Sequence, residues 1–409
     1  MLAVDQYIRH FATIWENSPA TLPDFHRTYL ITEQYERETR FEEFQKAIKE
    51  LKNKKNIKKF KDDPGTSFFP MFKRFLETVF DFDVDQLEII LSENFRNVSS
   101  DFFYKAREFS PELKPESIYQ GMRNVWIMNG IQLMLNLPVE ITPSVFAYSM
   151  IYPYSDNLLD DPEISSAEKQ AFSERFNQRL HGIDVEPHGH IERQLFRLVE
   201  MFELQYDRQV FHDVYESLYA IQRGQTRSLS LSKDNSLSDK EILSICFEKG
   251  GASVLADGFL VAGNLSHEQQ QALFGYGVYL QLLDDIQDVK EDTGANTNTM
   301  FSCMDNQSLE IVVNKTIHFG RIALDEMKCF DAIDVSIFLS LMNRSIETMI
   351  LESVGLNETW YSEEYLNRMN RFSPLRFEFV RQKKSESKSQ RFALFQKYFD
   401  KIPAKEVQI

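Results

Sequence analysis

The chain has little of what would assign it to most functional classes. Only three of its 409 residues are cysteine, and Cys246, Cys303 and Cys329 lie far apart, which gives neither a disulfide framework nor a zinc-binding spacing. A reducing, cytoplasmic setting is the expectation. Glycine (15) and proline (13) are sparse, and no series of short alternating runs with turn signals occurs, so sandwiches and barrels are excluded. No run of about 18 apolar residues is present, so nothing is expected to span a membrane, and peripheral contact stays open. The opening MLAVDQYIRHFATIW lacks the basic start and long apolar core of a signal peptide. Lysine and arginine together number 46 against 62 aspartate and glutamate, a net charge of −16, which argues against a nucleic-acid partner because a phosphate backbone requires a basic footprint. A diphosphate is a different matter, since bound metal ions invert the local field.

What is present is helical periodicity from end to end, and the expected fold class is all-α. With 43% hydrophobic and 26% charged residues, the chain is long enough for one large helical domain or two ordinary ones. Phenylalanine is abundant (34 residues against 3 tryptophans), so a cavity is expected to have aromatic walls. Composition divides the chain into a helical N-terminal extension with a basic linker (1–70), a main helical domain (71–380) and a polar tail (381–409) containing RQKKSESKSQ. KNKKNIKKFKDDPGTS reads as a solvated linker ending in a Pro-Gly turn. Residues 163–192 read as a loop with a short helix, and its His181, His188 and His190 as solvated side chains. One long amphipathic helix is expected from about Ile191 to Leu231, with helices resuming at Asp239 and at Gly251. The polar stretch 295–308 is placed to act as a lid. There is no internal repeat.

Two clusters of carboxylates carry the chemistry. Asp156, Asp160 and Asp161 lie in YPYSDNLLDDP; Asp284, Asp285 and Asp288, followed by Glu291 and Asp292, lie in YLQLLDDIQDVKEDTG. Each follows an apolar helical segment, and Pro162 and Gly294 mark expected helix ends. Acids near a helix C-terminus oppose the macrodipole, and a cation would reverse that penalty. If Ala272–Asp292 is one helix, Gln281, Asp284, Asp285, Asp288 and Asp292 fall within one arc of about 100°. Asp156 and Asp160 form an i, i+4 pair with Asp161 beside them. Solvation, salt bridges or metal could each account for such repulsive groupings. Two sets, roughly 120 residues apart, point to two walls of one cavity holding hard divalent ions.

LFGYGVYLQLLDDIQDV resembles the second aspartate-rich motif of the class I isoprenoid synthases, and SDNLLDD their first motif in a DxxxD form. RGQ (Arg223–Gln225) is similar to a Gly-Gln element of trans-prenyl synthases, and EKGGAS (Glu248–Ser253) to the lysine-containing element before the second motif. The order and spacing agree over roughly residues 120–300. The arginine-rich isopentenyl-diphosphate site of the chain-elongating enzymes is missing, as is the Asn/Ser/Glu metal motif of typical terpene cyclases. That combination resembles the large class IB terpene synthases.

The resemblance implies a helical bundle around a central apolar cavity within 71–380, acting as a monomer or homodimer. It implies Mg²⁺ as cofactor, three ions with the bound diphosphate, and ionisation of a linear prenyl diphosphate of C20 or longer to a terpene hydrocarbon or alcohol. Asp156, Asp160 and Asp161 would hold metal on one wall and Asp284, Asp285 and Asp288 on the other. Asp156, Asp160, Asp284 and Asp285 would be the catalytic acids. Arg223, Arg227 and Lys249 would bind diphosphate oxygens, and Gln225 and Gln281 would orient water or phosphate. Phe146, Tyr148, Tyr152, Tyr154 and Tyr276 are candidates for aromatic cation stabilisation, although each is more often plain core. Arg371 and Arg376, in RFSPLRF, read as structural. Two alternatives stand beside the cyclase: a prenyltransferase, chain-elongating or head-to-head like squalene and phytoene synthases, and a non-catalytic helical scaffold.

Overall fold

The computed structural model describes residues 2–51, 64–159, 164–232, 236–303 and 306–384, leaving aside the side chains of 51, 64–67, 156, 157, 159, 166 and 306–308. It is all-α. Among the described residues there is no strand, only an isolated antiparallel bridge between Ser232 and Thr297. The helices in chain order are α1 (Val4–Asn17), α2 (Ile31–Leu51), α3 (Pro64–Phe80), α4 (Val84–Ile90), α5 (Glu93–Phe109), α6 (Pro115–Met134), α7 (Pro143–Leu159), α8 (Ser166–Leu180), α9 (Gly189–Gln205), α10 (His212–Ser228), α11 (Asp239–Ala262), α12 (His267–Gln287), α13 (Val289–Gly294), α14 (Asn306–Glu326), α15 (Val335–Leu356) and α16 (Glu363–Asn370). No helix among the described residues is long and apolar enough to cross a membrane.

Local chemistry explains where several of these helices begin. Ser165 with Glu168, Ser238 with Glu241 and Ser266 with Gln269 each form a capping box, satisfying two otherwise orphaned amides at the starts of α8, α11 and α12. The short helix expected within 163–192 is thus α8, fifteen residues long, and the loop shrinks to the stretch between α8 and α9. The single helix expected from Ile191 to Leu231 is instead two. Asp207 interrupts it: its carbonyl accepts from Val210 and Phe211, and its side chain accepts from Gln209 N. Pro64 and Gly65 do not form a turn but open α3, where a missing proline N–H costs nothing.

The chain folds into two compact units, each discontinuous in sequence. The first comprises Met1–Pro19, Asn97–Cys303 and His318–Val335. Within it, α1 is core rather than an appendage: Tyr7 and Phe11 are fully buried and Trp15 nearly so. Phe11 fills the space that a Cβ on Gly275 would occupy, at 2.2 Å, and the Tyr279 ring does the same at Gly320, at 2.1 Å. The second unit comprises Ala20–Arg96, Met304–Ile317 and Ser336–Ile409. Its apolar centre is Val79, Leu375 and Phe379 with Phe41, Phe75 and Phe80 against them. Phe41 meets Phe379 edge-on at 5.5 Å, and Phe44 stacks on Phe75 at 4.0 Å.

Candidate active site in the first unit

Three helices of the first unit meet through glycines. A Cβ on Gly224 of α10 would lie 3.2 Å from Lys249 Cα of α11. A Cβ on Gly250 would lie 2.4 Å from Gln281 Cβ and 2.6 Å from the Gly277 carbonyl, both in α12, and Gly251 is filled by the Phe274 ring. These close approaches explain why α11 runs unbroken through Gly250-Gly251, where a new helix start was expected. The glycines are read against α12 rather than as a helix terminus. The same approaches bring Lys249 and Gln281 to the acidic end of α12.

That end is not one straight helix to Asp292. It turns at Asp288 (φ −101°, ψ 10°), which caps α12 and starts α13, while Asp288 N donates to Asp284 O at 2.9 Å and Asp292 N to Asp288 O at 2.8 Å. Asp285 is buried at 4% exposure. Its Oδ1 accepts from Gln281 Nε2 at 2.8 Å, and its buried Oδ2 has no hydrogen-bond partner. Burial, reinforced by the charge of Asp284 and opposed by Gln281 and Lys249, pushes the Asp285 carboxyl up to about 7. Asp288 and Asp292 are pushed up to about 6, by partial burial first and then by the charges of the neighbouring acids; Lys249 opposes this at both and Arg123 at Asp288. Asp284 is exposed at the surface beside them. Burial and nearby Asp285 raise the Cys246 thiol well above its usual range, so it is inert.

The donor set is carboxylate oxygen, the chemistry a hard divalent ion prefers, and an orphaned carboxylate oxygen amid mutually repelling acids suits a cation. The α12 residues therefore fit one wall of a Mg²⁺ site. Among the described residues no three His, Cys, Asp or Glu side chains converge closely enough to hold a metal by themselves. The expected opposite wall lies outside the described side chains: α7 carries the backbone of Asp156 in its last turn, and Asp160 and Asp161 fall beyond it.

Next to α11 lies a small apolar cavity of about 60 Å³, walled by Tyr148, Ile151 and Tyr152 of α7, Phe172 and Phe176 of α8, and Ile221 and Gln225 of α10. It has room for a few waters, at about 10–15 Å³ each, and is too small for a long prenyl chain. Tyr152 Oη lies 2.6 Å from Ser253 Oγ of α11, and Tyr148 donates to the Ser253 carbonyl at 3.4 Å. Gln225 thus lines the cavity. Arg223 and Arg227, expected to bind diphosphate, lie roughly 160° around the helix from it. Both instead bind Glu248, whose side chain is 1% exposed, with Arg223 Nε donating at 2.5 Å. The cations within reach of the α12 acids are Lys249 and Arg123.

Phe146, Tyr148, Tyr154 and Tyr276 are buried, and Tyr154 donates to Ser110 Oγ at 2.5 Å. His190 pairs with Glu112 at 2.8 Å and His181 stacks on Tyr219 at 3.8 Å, so neither joins a metal cluster. In the second unit Arg376 binds Glu38 at 2.7 Å and the Arg371 carbonyl accepts from Tyr29 N at 2.7 Å, both structural uses. The 295–303 segment is held down rather than hinged: Asn298 N donates to Leu231 O at 2.6 Å, and Thr299, Met300, Phe301 and Ser302 are buried.

No protein-family model matches this chain, and no curated protein matches it. Among solved structures, a decaprenyl diphosphate synthase from Rhodobacter capsulatus aligns at 14% identity over 73% of this chain and 98% of its own, with a TM-score of 0.33. That likeness is too slight to argue from, and the functional reading stands on the residues.

Sequence reasoning passed over Arg123, Glu248 and Asp257. Glu248 was visible as an acid preceding Lys249. Asp257 was visible as a lone carboxylate inside the apolar run SVLADGFLVAG, a pattern that signals a buried ionisable group.

Proposed function

We propose that this chain is a Mg²⁺-dependent terpene synthase that ionises a linear prenyl diphosphate, C20 or longer, and releases diphosphate to give a hydrocarbon or alcohol. The observation that carries this reading is Asp285: a buried carboxylate with an orphaned oxygen, in the field of Asp284 and Asp292, with Lys249 and Gln281 brought near it by glycine contacts. Asp284, Asp285 and Asp288 would hold metal on one side and Asp156, Asp160 and Asp161 on the other. When bound, Mg²⁺ supplies Lewis-acid activation of the diphosphate leaving group. Lys249, with Arg123 beside Asp288, binds diphosphate oxygens and stabilises the charge that develops as the C–O bond breaks. Gln281 fixes the rotamer of Asp285. Tyr148 and Tyr152 present aromatic faces to the cation, while Ile151, Phe172 and Phe176 keep water from it.

The test is incubation with Mg²⁺ and single prenyl diphosphates of ten to thirty-five carbons, with and without isopentenyl diphosphate, reading released diphosphate and product mass. A terpene from one substrate supports the cyclase. Product only with two substrates assigns a prenyltransferase instead, and absence of both turnover and Mg²⁺ binding assigns a scaffold.

A further inference from the structure

Glu248 and Lys249 are sequence neighbours of opposite charge within α11, and the fold sends them different ways. Lys249 lies in the field of Asp285, Asp288 and Asp292 at the end of α12. Glu248 is fully buried and faces α10, where Arg223 Nε donates to its Oε1 at 2.5 Å and Arg227 Nη1 donates to its Oε2. Each carboxylate oxygen thus has its own guanidinium, from residues one turn apart on the same helix. Gly224, next to Arg223, lies against the peptide that joins the two residues. A Cβ there would be 3.2 Å from Lys249 Cα, 3.3 Å from Lys249 N and 3.4 Å from the Glu248 carbonyl carbon. On the α12 side, a Cβ on Gly250 would be 2.6 Å from the Gly277 carbonyl oxygen. The Glu248–Gly250 segment is therefore held between two helices at backbone contact.

Glycine contacts let helices approach closely, but they form no directional bond that fixes rotation about the helix axis. Successive residues on a helix point about 100° apart, so turning α11 by that angle would aim the Glu248 carboxylate, not the Lys249 ammonium, at the acids. The arginine clamp opposes such a turn. Rotation would break two charge-assisted bonds and leave a buried carboxylate unpaired. We propose that Glu248 is a positioning residue: gripped by Arg223 and Arg227, it fixes the rotation of α11 that holds Lys249 at the acidic end of α12. The proposal rests on the reading above, in which Lys249 binds diphosphate oxygens. Glu248 itself touches neither metal nor diphosphate and acts through Lys249. The sign of one substitution separates this role from plain charge. Removing a negative charge near an anion site tightens anion binding by electrostatics, whereas releasing Lys249 weakens it.

The experiment titrates the full chain with inorganic diphosphate in the presence of Mg²⁺ by calorimetry, in a double-mutant cycle of Glu248→Gln and Lys249→Met, each variant checked for folding by thermal melt. Glu248→Gln is expected to weaken binding about tenfold when Lys249 is present, and by about twofold or less in the Lys249→Met background. Tighter or unchanged binding in Glu248→Gln overturns the positioning role. So does an equal loss in both backgrounds, or wild-type affinity in Lys249→Met. A buried amide beside two arginines can unfold the chain, so the cycle is repeated with Arg223→Lys and Arg227→Lys combined, both at half-exposed positions. That pair keeps both charges and loses the planar forks, and a smaller loss that again depends on Lys249 is expected. No loss there, or a loss independent of Lys249, overturns the proposal as well. A wild type that binds no diphosphate with Mg²⁺ overturns the functional reading and the positioning role together, whereas binding with an additive cycle overturns the positioning role alone.

Discussion

The two units bury their charges differently. In the second, Arg37 reaches Asp81 at 2.7 Å and the Val79 carbonyl at 2.8 Å, Arg27 reaches Asp81 at 2.9 Å, and Arg376 grips Glu38 through two nitrogens. Every one of those carboxylates has a guanidinium. In the first unit Asp257 and Asp285 each keep an oxygen with no partner. A buried unpaired polar atom costs about 1–3 kcal/mol, so folding alone gives no reason to keep it. Paired charges mark scaffolding, and orphaned acids mark where a ligand or a proton is expected. Glu248 shows that the first unit can pair an acid when structure is the purpose.

The sharpest way to break this contrast is Asp285→Ala. Diphosphate release is expected to fall by about 10²–10³-fold, the scale of losing one electrostatic contact to a transition state, with thermal stability kept or raised. A variant that melts early but turns over normally would put Asp285 on the scaffold side.

pH separates the units next. Asp285, at about 7, and Asp288 and Asp292, at about 6, hold protons in the fold that the unfolded chain has released. Their contribution is fully present below about pH 4 and is lost as pH rises from about 4 to about 7. For buried Asp285 this is of order a few kcal/mol at 1.36 kcal/mol per unit. Chemical denaturation of metal-free protein across that range should show the decline. Mg²⁺ should offset it at pH 7, and Asp285→Asn should flatten it. A flat wild-type profile rejects the strained-acid picture.

Arg376→Ala is the converse test. Breaking a buried pair costs about 3–5 kcal/mol, and the 20% exposure of this arginine brings the expectation to about 2 kcal/mol. Activity per folded molecule should be unchanged. An effect of similar size is expected of Gly275→Ala, which forces Phe11 off α12 and costs about 1–3 kcal/mol as overpacking, read as a lowered melting temperature. No loss there would detach α1 from the core of the first unit.

Much of the helical pattern is local and therefore readable. Ser238 with Glu241 and Ser266 with Gln269 announce their helices within four residues, and the α12 acids recur at a helical period. The break after Gln205 is also local, but it turns on Asp207 competing for backbone amides inside an otherwise amphipathic pattern, which periodicity averages away. Gly250 and Gly251 misled for another reason: a glycine pair looks like a helix terminus until the neighbouring helix that fills the missing side chains is known.

The sequence alone settled the all-α class, the helix start at Asp239, and that the acids at the end of α12 recur at a helical period, because capping and the 3.6-residue period act over a few residues. Only the tertiary structure decided that α1 belongs to the core, that Arg223 and Arg227 pair with Glu248, that Lys249 and Arg123 lie near the acids, and that Asp257 is buried beside Asn124, Tyr148 and Tyr276. Partners and burial come from segments tens to hundreds of residues away. A side chain's charge state depends on the dielectric those segments create, and that has no local signature.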